Sequence, residues 1–186
     1  MRVIGGEFRS RRLKTLRGPA LRPTHDRLRE TLFDVLAPEV PGCTFLDAYA
    51  GSGAVGIEAL SRGAARVVFL EKSRAAVRVI RENVAALGLG DRAEVVHGET
   101  LKRLPRHPAG IVFLDPPYDA EREYGAALRL LGQAPPPLVV AQHSARLSLK
   151  DEYGALRRVR VLKQGDNVLS FFRPQEQPPA PNGQLN

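Results

Sequence analysis

The chain has few residues that could cross-link a fold or hold a metal. Cys43 is the single cysteine among 186 residues, which excludes an internal disulfide and a thiolate metal cluster. No apolar run approaches the ~20 residues of a membrane span, and residues 1–6 lack the hydrophobic stretch of a signal peptide. We therefore expect a cytoplasmic protein that works without a bound metal.

What the chain has in excess is positive charge. Its net charge is +8, with 43% hydrophobic and 26% charged residues, a composition typical of one globular domain. The excess is concentrated near the N-terminus, where three acids oppose a larger basic set: Arg2, Arg9, Arg11, Arg12, Lys14, Arg17, Arg22, Arg27 and Arg29. Such clustering favours a polyanionic partner, most simply nucleic acid, over a merely solvated basic surface.

Composition and turn signals predict three regions. Residues 1–40 form a short basic β-hairpin or arm and a helix that starts at Thr24 or Asp26. Residues 41–173 form one α/β domain. Residues 174–186, rich in proline, glutamine and asparagine, form a disordered tail.

Strand and helix patterns alternate within the central domain, which predicts a parallel sheet covered by helices on both faces. Strands are predicted at residues 43–47, 66–71, 93–97, 111–115 and 137–142. Helices are predicted at residues 53–62, 73–88, 100–104 and 121–132. Residues 156–163 and 167–173 are predicted to form a C-terminal antiparallel hairpin.

A glycine-rich turn follows the first of these strands. Gly51, Gly53 and Gly56 match the spacing G-x-G-x-x-G, and Glu71 ends the next strand. Alone, this pattern fits a dinucleotide site. However, Asp47 closes the strand before the turn, where its carboxylate would repel a pyrophosphate and attract the ammonium of a methionine moiety. The pattern therefore favours S-adenosylmethionine, with Glu71 accepting hydrogen bonds from the ribose hydroxyls.

A stiff corner follows the predicted strand 111–115. Asp115 is followed by Pro116, Pro117 and Tyr118, and proline can neither continue a sheet ladder nor vary its φ widely. The corner presents a carboxylate, carbonyl groups and a flat ring. We expect Asp115 and the Pro116 carbonyl to accept hydrogen bonds from an exocyclic amine, and Tyr118 to stack on its base.

Four segments resemble a known family. Residues 2–6, 22–33, 46–64 and 115–118 resemble the bacterial small-subunit ribosomal RNA guanine-N2 methyltransferases, which modify one guanine of 16S rRNA. The likeness extends to about Arg173. It implies an α/β, Rossmann-like class I S-adenosylmethionine-dependent methyltransferase fold, with a mostly parallel seven-stranded sheet completed by the C-terminal hairpin.

The resemblance also implies the roles of particular residues. The cofactor-binding set is Asp47, Ala48, Gly51, Gly53, Glu71, Lys72, Gly98 and Glu99, with Thr24 capping its helix, contacting the cofactor, or both. The catalytic set is Asp115, Pro116 and Tyr118. The RNA-binding set is Arg9, Arg11, Arg12, Arg22, Arg27, Arg29 and Pro117, with Arg27 and Arg29 acting either as phosphate ligands or as solvated charges. The implied partner of this monomer is 16S rRNA, the small ribosomal subunit or an assembly intermediate.

Other functions fit parts of the pattern. The same corner would serve an N6-adenine or N4-cytosine methyltransferase acting on DNA or RNA, although the chain offers no separate target-recognition domain. Glutamine methylation of a protein is disfavoured by the basic arm. A non-catalytic RNA-binding or assembly factor would not need intact Asp47 and Asp115, and an NAD-dependent oxidoreductase would bind NADH.

Overall fold

A computed structural model describes residues 1–16, 23–117 and 121–175, without the side chains of residues 23–25 and 121. Two residues of the predicted sites, Arg22 and Tyr118, therefore lie outside the described residues, as does most of the predicted tail. None of the described helices is long and apolar enough to span a membrane.

The described elements follow the predicted alternation, with boundaries that shift by up to two residues. The helices are α1 (Pro23–Leu36), α2 (Ala54–Ser61), α3 (Arg74–Ala86), α4 (Thr100–Arg103) and α5 (Glu121–Leu131). The strands are β1 (Thr44–Asp47), β2 (Arg66–Glu71), β3 (Ala93–His97), β4 (Ile111–Leu114), β5 (Leu138–Ser144), β6 (Glu152–Tyr153), β7 (Leu156–Gln164) and β8 (Asn167–Pro174).

The strands form one sheet in the order β3-β2-β1-β4-β5-β8-β7-β6. Strands β1 to β5 pair in parallel, and β8 pairs antiparallel with both β5 and β7. The prediction of seven strands was wrong by one, because β6 adds a two-residue strand at the edge. A segment as short as Glu152–Tyr153 has no periodicity from which a strand could be predicted.

Buried side chains separate into two layers, one on each face of the sheet. Phe45 and Phe69 belong to the layer that includes α1, α2 and α3, whereas Leu46 and Leu70 belong to the layer beneath α5. This alternation is the period of two that a strand imposes on its side chains. Because both faces of the sheet are covered, successive residues of each strand are buried, and the strand sequences are continuous apolar runs.

The N-terminal residues form a narrow hairpin with a single β-bridge, between Arg2 and Arg12. The Val3 amide donates to the Arg11 carbonyl at 3.0 Å, and the Ser10 amide donates to the Val3 carbonyl at 2.9 Å. Val3 and Leu13 are buried. We call residues 1–16 the arm; it packs on the helical layer that contains α1, α2 and α3.

Glu58 of α2 fastens the arm to the domain. Its side chain is 0% exposed, and its two carboxylate oxygens accept hydrogen bonds from the Ile4 and Gly5 amides, each at 2.8 Å. The same carboxylate lies 2.8 Å from Arg62 Nε and 3.7 Å from Arg29 Nε. A buried carboxylate is tolerated only when it is paired and hydrogen-bonded in this way.

One helical turn further along α2, Ser61 makes a second attachment. Its hydroxyl accepts from the Phe8 amide at 2.9 Å and donates to the Gly5 carbonyl at 2.6 Å. Gly6 has φ of 74°, and a Cβ on this residue would lie 1.9 Å from the Ser61 carbonyl oxygen. The arm can therefore approach α2 this closely only with glycine at position 6.

Glu58→Gln should lower the free energy of unfolding by about 3–5 kcal/mol, because it removes the buried negative charge beside Arg29 and Arg62 and leaves buried Arg29 with only the partly exposed Asp26. Urea unfolding measures this, and hydrogen exchange should show faster exchange of the Ile4 and Gly5 amides. The control is Glu82→Gln, which breaks the exposed pair between Lys14 and Glu82 and should cost about 0–1 kcal/mol. Equal losses in the two variants would contradict the role assigned to Glu58.

Candidate functional site

A cavity of about 210 Å³ opens at the carboxyl edge of β1, β4 and β5. This is the edge at which parallel α/β sheets bind ligands, where the strand order reverses on either side of β1. The cavity is lined by side chains of the arm, α1, the glycine turn and three strand ends: Met1, Arg29, Leu32, Asp47, Tyr49, Ala50, Gly51, Ser52, Ala54, Val55, Phe113, Asp115 and Gln142.

The three glycines of the turn serve different physical purposes. Gly51 and Gly53 have φ of 54° and 78°, left-handed values that favour glycine. Gly53 also precedes the first residue of α2, and its amide donates to the Ala50 carbonyl at 2.7 Å. At Gly56 the requirement is space, since a Cβ there would lie 2.3 Å from the Phe69 ring.

Asp47 stands at the end of β1 with its side chain 2% exposed. Its Oδ2 accepts a hydrogen bond from the Gly56 amide at 3.0 Å. Burial raises the pKa of Asp47 to about 7, an effect that the Gly56 hydrogen bond opposes and the Glu71 charge reinforces. An acid held in this state favours a cationic neighbour, because a nearby positive charge lowers the cost of ionisation.

Glu71, at the end of β2, holds the glycine turn in shape. Its Oε2 accepts from the Gly51 amide at 2.9 Å, and its Oε1 accepts from the Ser73 amide at 2.7 Å. Each carboxylate oxygen has a second lone pair. Glu71 could therefore also accept hydrogen bonds from the two hydroxyls of a ribose.

Asp115 faces the same cavity from the end of β4. Burial, and next the charge of Asp47, raise the pKa of Asp115 to about 7. Gln142 of β5 donates to its Oδ2 at 3.3 Å. After Asp115 the chain turns through Pro116, which is buried, and Pro117, which is exposed.

The cavity residues that were not predicted from the sequence include Gln142 and Tyr49. Gln142 is a polar residue inside the apolar run of β5, and that interruption was the signal that could have identified it. Tyr49 lies in the glycine turn, where burial and next a hydrogen bond with Glu123 raise the pKa of its phenol. Gln142 places a hydrogen-bonding group beside Asp115, and Tyr49 lines the same cavity.

Four other predicted cofactor residues, Ala48, Lys72, Gly98 and Glu99, do not line this cavity. Gly98 and Glu99 line a separate groove, where Glu99 pairs with Lys102 at 2.8 Å. Lys72 is exposed, with its carbonyl 3.0 Å from His97 Nε2, while Ala48 is buried and its carbonyl accepts from the Thr100 hydroxyl at 2.7 Å. Thr24 lies in the first turn of α1, with its side chain outside the described part.

The predicted RNA-binding arginines separate into three locations. Arg9 and Arg27 line one groove between the arm and α1, and both are exposed. Arg11 is exposed and donates to the Ala86 carbonyl at the end of α3, at 3.2 Å. Arg12 is exposed on the arm strand paired with Arg2. These four side chains are accessible to a large partner.

Arg29 requires a correction. We expected either a phosphate ligand or a solvated charge, but the side chain is 5% exposed. Its Nη2 donates to the Arg2 carbonyl at 2.7 Å and to Asp26 at 3.2 Å, and it pairs with buried Glu58. Arg29 therefore joins α1 to the arm and forms part of the cavity wall. The helical pattern alone could not reveal this, because the arm that covers Arg29 is distant in sequence.

Residues 1–173 match the family described as "Conserved hypothetical protein 95". The chain belongs to this family. The match covers the arm, all five helices and the sheet down to β8, so the family includes the arm together with the cavity.

Two named relatives of this chain agree with this assignment. The Escherichia coli K12 protein "Ribosomal RNA small subunit methyltransferase D" is 46% identical over 120 residues, which cover 63% of this chain and 60% of that protein. This match thus spans less than two thirds of the relative. The Bacillus subtilis protein "Putative rRNA methyltransferase YlbH" is 34% identical over 182 residues, or 93% of this chain and 98% of that protein.

A solved structure confirms the fold. The Escherichia coli protein named "Putative methyltransferase yhhF" superposes with a TM-score of 0.79 at 33% identity, covering 95% of this chain and 99% of that one. The mixed sheet with its antiparallel C-terminal hairpin is that of the Rossmann-like class I methyltransferases, as predicted.

Asp115→Asn should stabilise the protein more at pH 8 than at pH 4.5. Because the folded pKa of Asp115 is raised to about 7, its contribution to stability is present below the unfolded pKa near 4 and is lost as pH rises towards 7. Removing the charge should therefore raise the free energy of unfolding at pH 8 by about 1–4 kcal/mol relative to pH 4.5.

Urea unfolding at the two pH values measures this difference. The control is Asp91→Asn, which changes an exposed aspartate outside the cavity. A gain for Asp115→Asn that is the same at both pH values, or no larger than that of the control, would contradict a raised pKa.

Proposed function

We propose that this chain is an S-adenosylmethionine-dependent methyltransferase that methylates the exocyclic N2 amine of a guanine in 16S rRNA. The observation that carries the proposal is the pair Asp47 and Asp115. Both carboxylates face one cavity at the carboxyl edge of the sheet, beside the glycine turn, in a chain whose relatives are named as ribosomal RNA methyltransferases.

The donor set of the cavity fits S-adenosylmethionine. Buried Asp47 and partly buried Asp115, both with raised pKa values, favour a cationic ligand and disfavour a pyrophosphate. Asp47 and the Gly51–Gly53 turn would hold the methionine part, and Glu71 the ribose. Gly98 and Glu99, with Lys72 near them, would border the adenine. When bound, this cofactor supplies an electrophilic methyl group on a sulfonium.

Asp115 acts on the methyl acceptor. The lone pair of an exocyclic amine is delocalised into its ring, so the amine is a poor nucleophile. N–H bonds accepted by the Asp115 carboxylate and the Pro116 carbonyl orient the amine and stabilise positive charge that develops on nitrogen. Gln142, 3.3 Å from Asp115, fixes the carboxylate, and Tyr118 stacks on the base.

The ionisation of Asp115 follows from the same geometry. A carboxylic acid with a pKa near 7 accepts hydrogen bonds from an amine poorly while it is protonated. We expect methyl transfer to increase as pH rises through about 7. Proximity of the two substrates supplies most of the remaining acceleration.

The accessible arginines supply the RNA contacts. Arg9 and Arg27 share a groove, Arg11 and Arg12 extend along the arm, and Arg22 precedes α1. Specificity rests on these contacts and on RNA shape. A paired guanine is inaccessible, so the target is an unpaired or flipped nucleotide of the rRNA, the small subunit or an assembly intermediate.

Mass spectrometry of nucleosides from small-subunit rRNA, incubated with the protein and isotopically labelled S-adenosylmethionine, tests the proposed reaction. We expect labelled N2-methylguanosine. Labelled N6-methyladenosine or N4-methylcytidine would support the alternative base specificity that the same corner allows. Absence of any labelled nucleoside from naked rRNA and from small-subunit particles would contradict methyl transfer to RNA.

Asp115→Ala should reduce kcat by about 10²–10³-fold, the range for removing a group that stabilises developing charge. Its cofactor affinity, measured by calorimetry, should change little, because Asp47 and the glycine turn remain. Asp91→Asn serves as the control and should keep full activity. An equal loss of cofactor affinity and of kcat in Asp115→Ala would contradict the separation of roles between Asp47 and Asp115.

Charge reversal of the arm, by Arg9→Glu, Arg11→Glu and Arg12→Glu together, should weaken RNA binding and flatten its dependence on salt. Fluorescence anisotropy with a labelled rRNA fragment at several salt concentrations measures both effects. The control reverses three exposed cations elsewhere, Arg129, Lys150 and Arg157. An unchanged salt slope in the arm variant would remove the arm from the RNA interface.

A further inference from the structure

Helix α3 carries a row of arginines that the proposed site does not use. Arg74, Arg78 and Arg81 are spaced four and three residues apart, so they share one face of the helix. All three are exposed. The buried residues of the helix are Ala76, Val77, Ile80, Asn83 and Val84. The row is therefore the solvent-facing side of an amphipathic helix.

These arginines differ from many others in the chain. Arg66, Arg92 and Arg158 each lie within ion-pair distance of an acid. Within the described residues, no acid lies within that distance of Arg74, Arg78 or Arg81. Glu82, on the same helix, pairs with Lys14 of the arm at 3.0 Å. The row thus concentrates uncompensated positive charge, which repels itself and favours an anionic ligand.

The row lines an open groove of about 620 Å³ together with His97 at the end of β3. His97 Nε2 lies 3.0 Å from the carbonyl oxygen of Lys72. Lys72 directly follows Glu71, which accepts the amide of Gly51 in the glycine turn. The N-terminal end of the row is therefore adjacent to the carboxyl edge of the sheet, where the proposed methyl transfer takes place.

The C-terminal half of α3 contacts the arm through residues outside the row. The Lys14 amide donates to Asn83 Oδ1 at 2.8 Å, and Asn83 Nδ2 donates back to the Lys14 carbonyl at 3.0 Å and to the Ser52 carbonyl at 3.2 Å. Arg11 reaches the Ala86 carbonyl. Buried Asn83 thus holds the arm against α3, so basic residues of both elements lie in one region of the molecule.

We infer that Arg74, Arg78 and Arg81 bind backbone phosphates of the RNA that flanks the target nucleotide. Arginine suits this role because its planar guanidinium can donate two hydrogen bonds to one phosphate. Neighbouring side chains on one helix face lie about 5–6 Å apart at Cβ, so the three can engage successive phosphates. The inference rests on the proposed RNA substrate and adds a surface to the arm and α1.

The test replaces all three arginines by glutamine and compares the variant with Arg129→Gln, Lys150→Gln and Arg157→Gln combined, which removes the same charge elsewhere. Binding to a labelled small-subunit rRNA fragment is measured by fluorescence anisotropy over a range of salt concentrations. We expect the α3 variant to bind RNA about tenfold more weakly, with a slope of log K against log salt that is lower by about 2. The control variant should show much smaller changes in both RNA affinity and salt slope.

Two further measurements separate this role from a structural one. The α3 variant should show a raised KM for RNA, with kcat and the Kd for S-adenosylmethionine unchanged. A variant with lysine at all three positions keeps the charge and should retain most of the salt slope. If the lysine variant loses the slope as fully as the glutamine variant, the phosphate role is contradicted.

The outcomes distinguish this inference from the proposed function. If the wild-type protein methylates rRNA and the α3 variant binds RNA like the control, the α3 surface is overturned while the methyltransferase proposal stands. If the wild-type protein neither binds nor methylates RNA, the proposed function fails and the inference fails with it. Preferential loss of binding to an acidic protein, with RNA binding intact, would assign the row to a different partner.

Discussion

The buried carboxylate of Glu58 is the contact on which the rest of the site depends. It accepts the Ile4 and Gly5 amides and pairs with Arg29 and Arg62, so it joins the arm, α1 and α2 at one point. Met1 and Arg29 in turn form part of the cavity wall. A buried charge satisfied by four groups is costly to disrupt, and this fixes the arm against the cavity that it helps to close.

The cavity itself is organised by a second pair of carboxylates. Asp47 and Asp115 end neighbouring strands that pair in parallel, so the topology brings their charges together at one edge of the sheet. Burial raises the pKa of each, and the charge of Asp47 further raises that of Asp115. Such a pair costs stability when ionised and recovers that cost when a cation binds, which links the chemistry of the cavity to its ligand.

The sequence was sufficient for features that depend on local pattern or on strand order. The alternation of strands and helices predicts a parallel sheet with Asp47, Glu71 and Asp115 at its carboxyl edge, and the glycine spacing predicts the turn. The sequence was insufficient where contacts join distant segments. Arg29 was expected at the surface because its neighbour in the arm, the Arg2 carbonyl, is 27 residues away. The role of Asn83 in holding the arm was hidden for the same reason.

The central claim is that Asp47 binds the cationic methyl donor next to Asp115, which acts on the methyl acceptor, and calorimetry of S-adenosylmethionine binding tests it most directly. Titrations at pH 6.5 in two buffers with different ionisation enthalpies measure the protons exchanged on binding. Both acids have pKa values near 7, so a bound cation should ionise them. We therefore predict that binding releases protons and that Asp47→Asn releases fewer. Binding without proton release, or no binding at all, would contradict it.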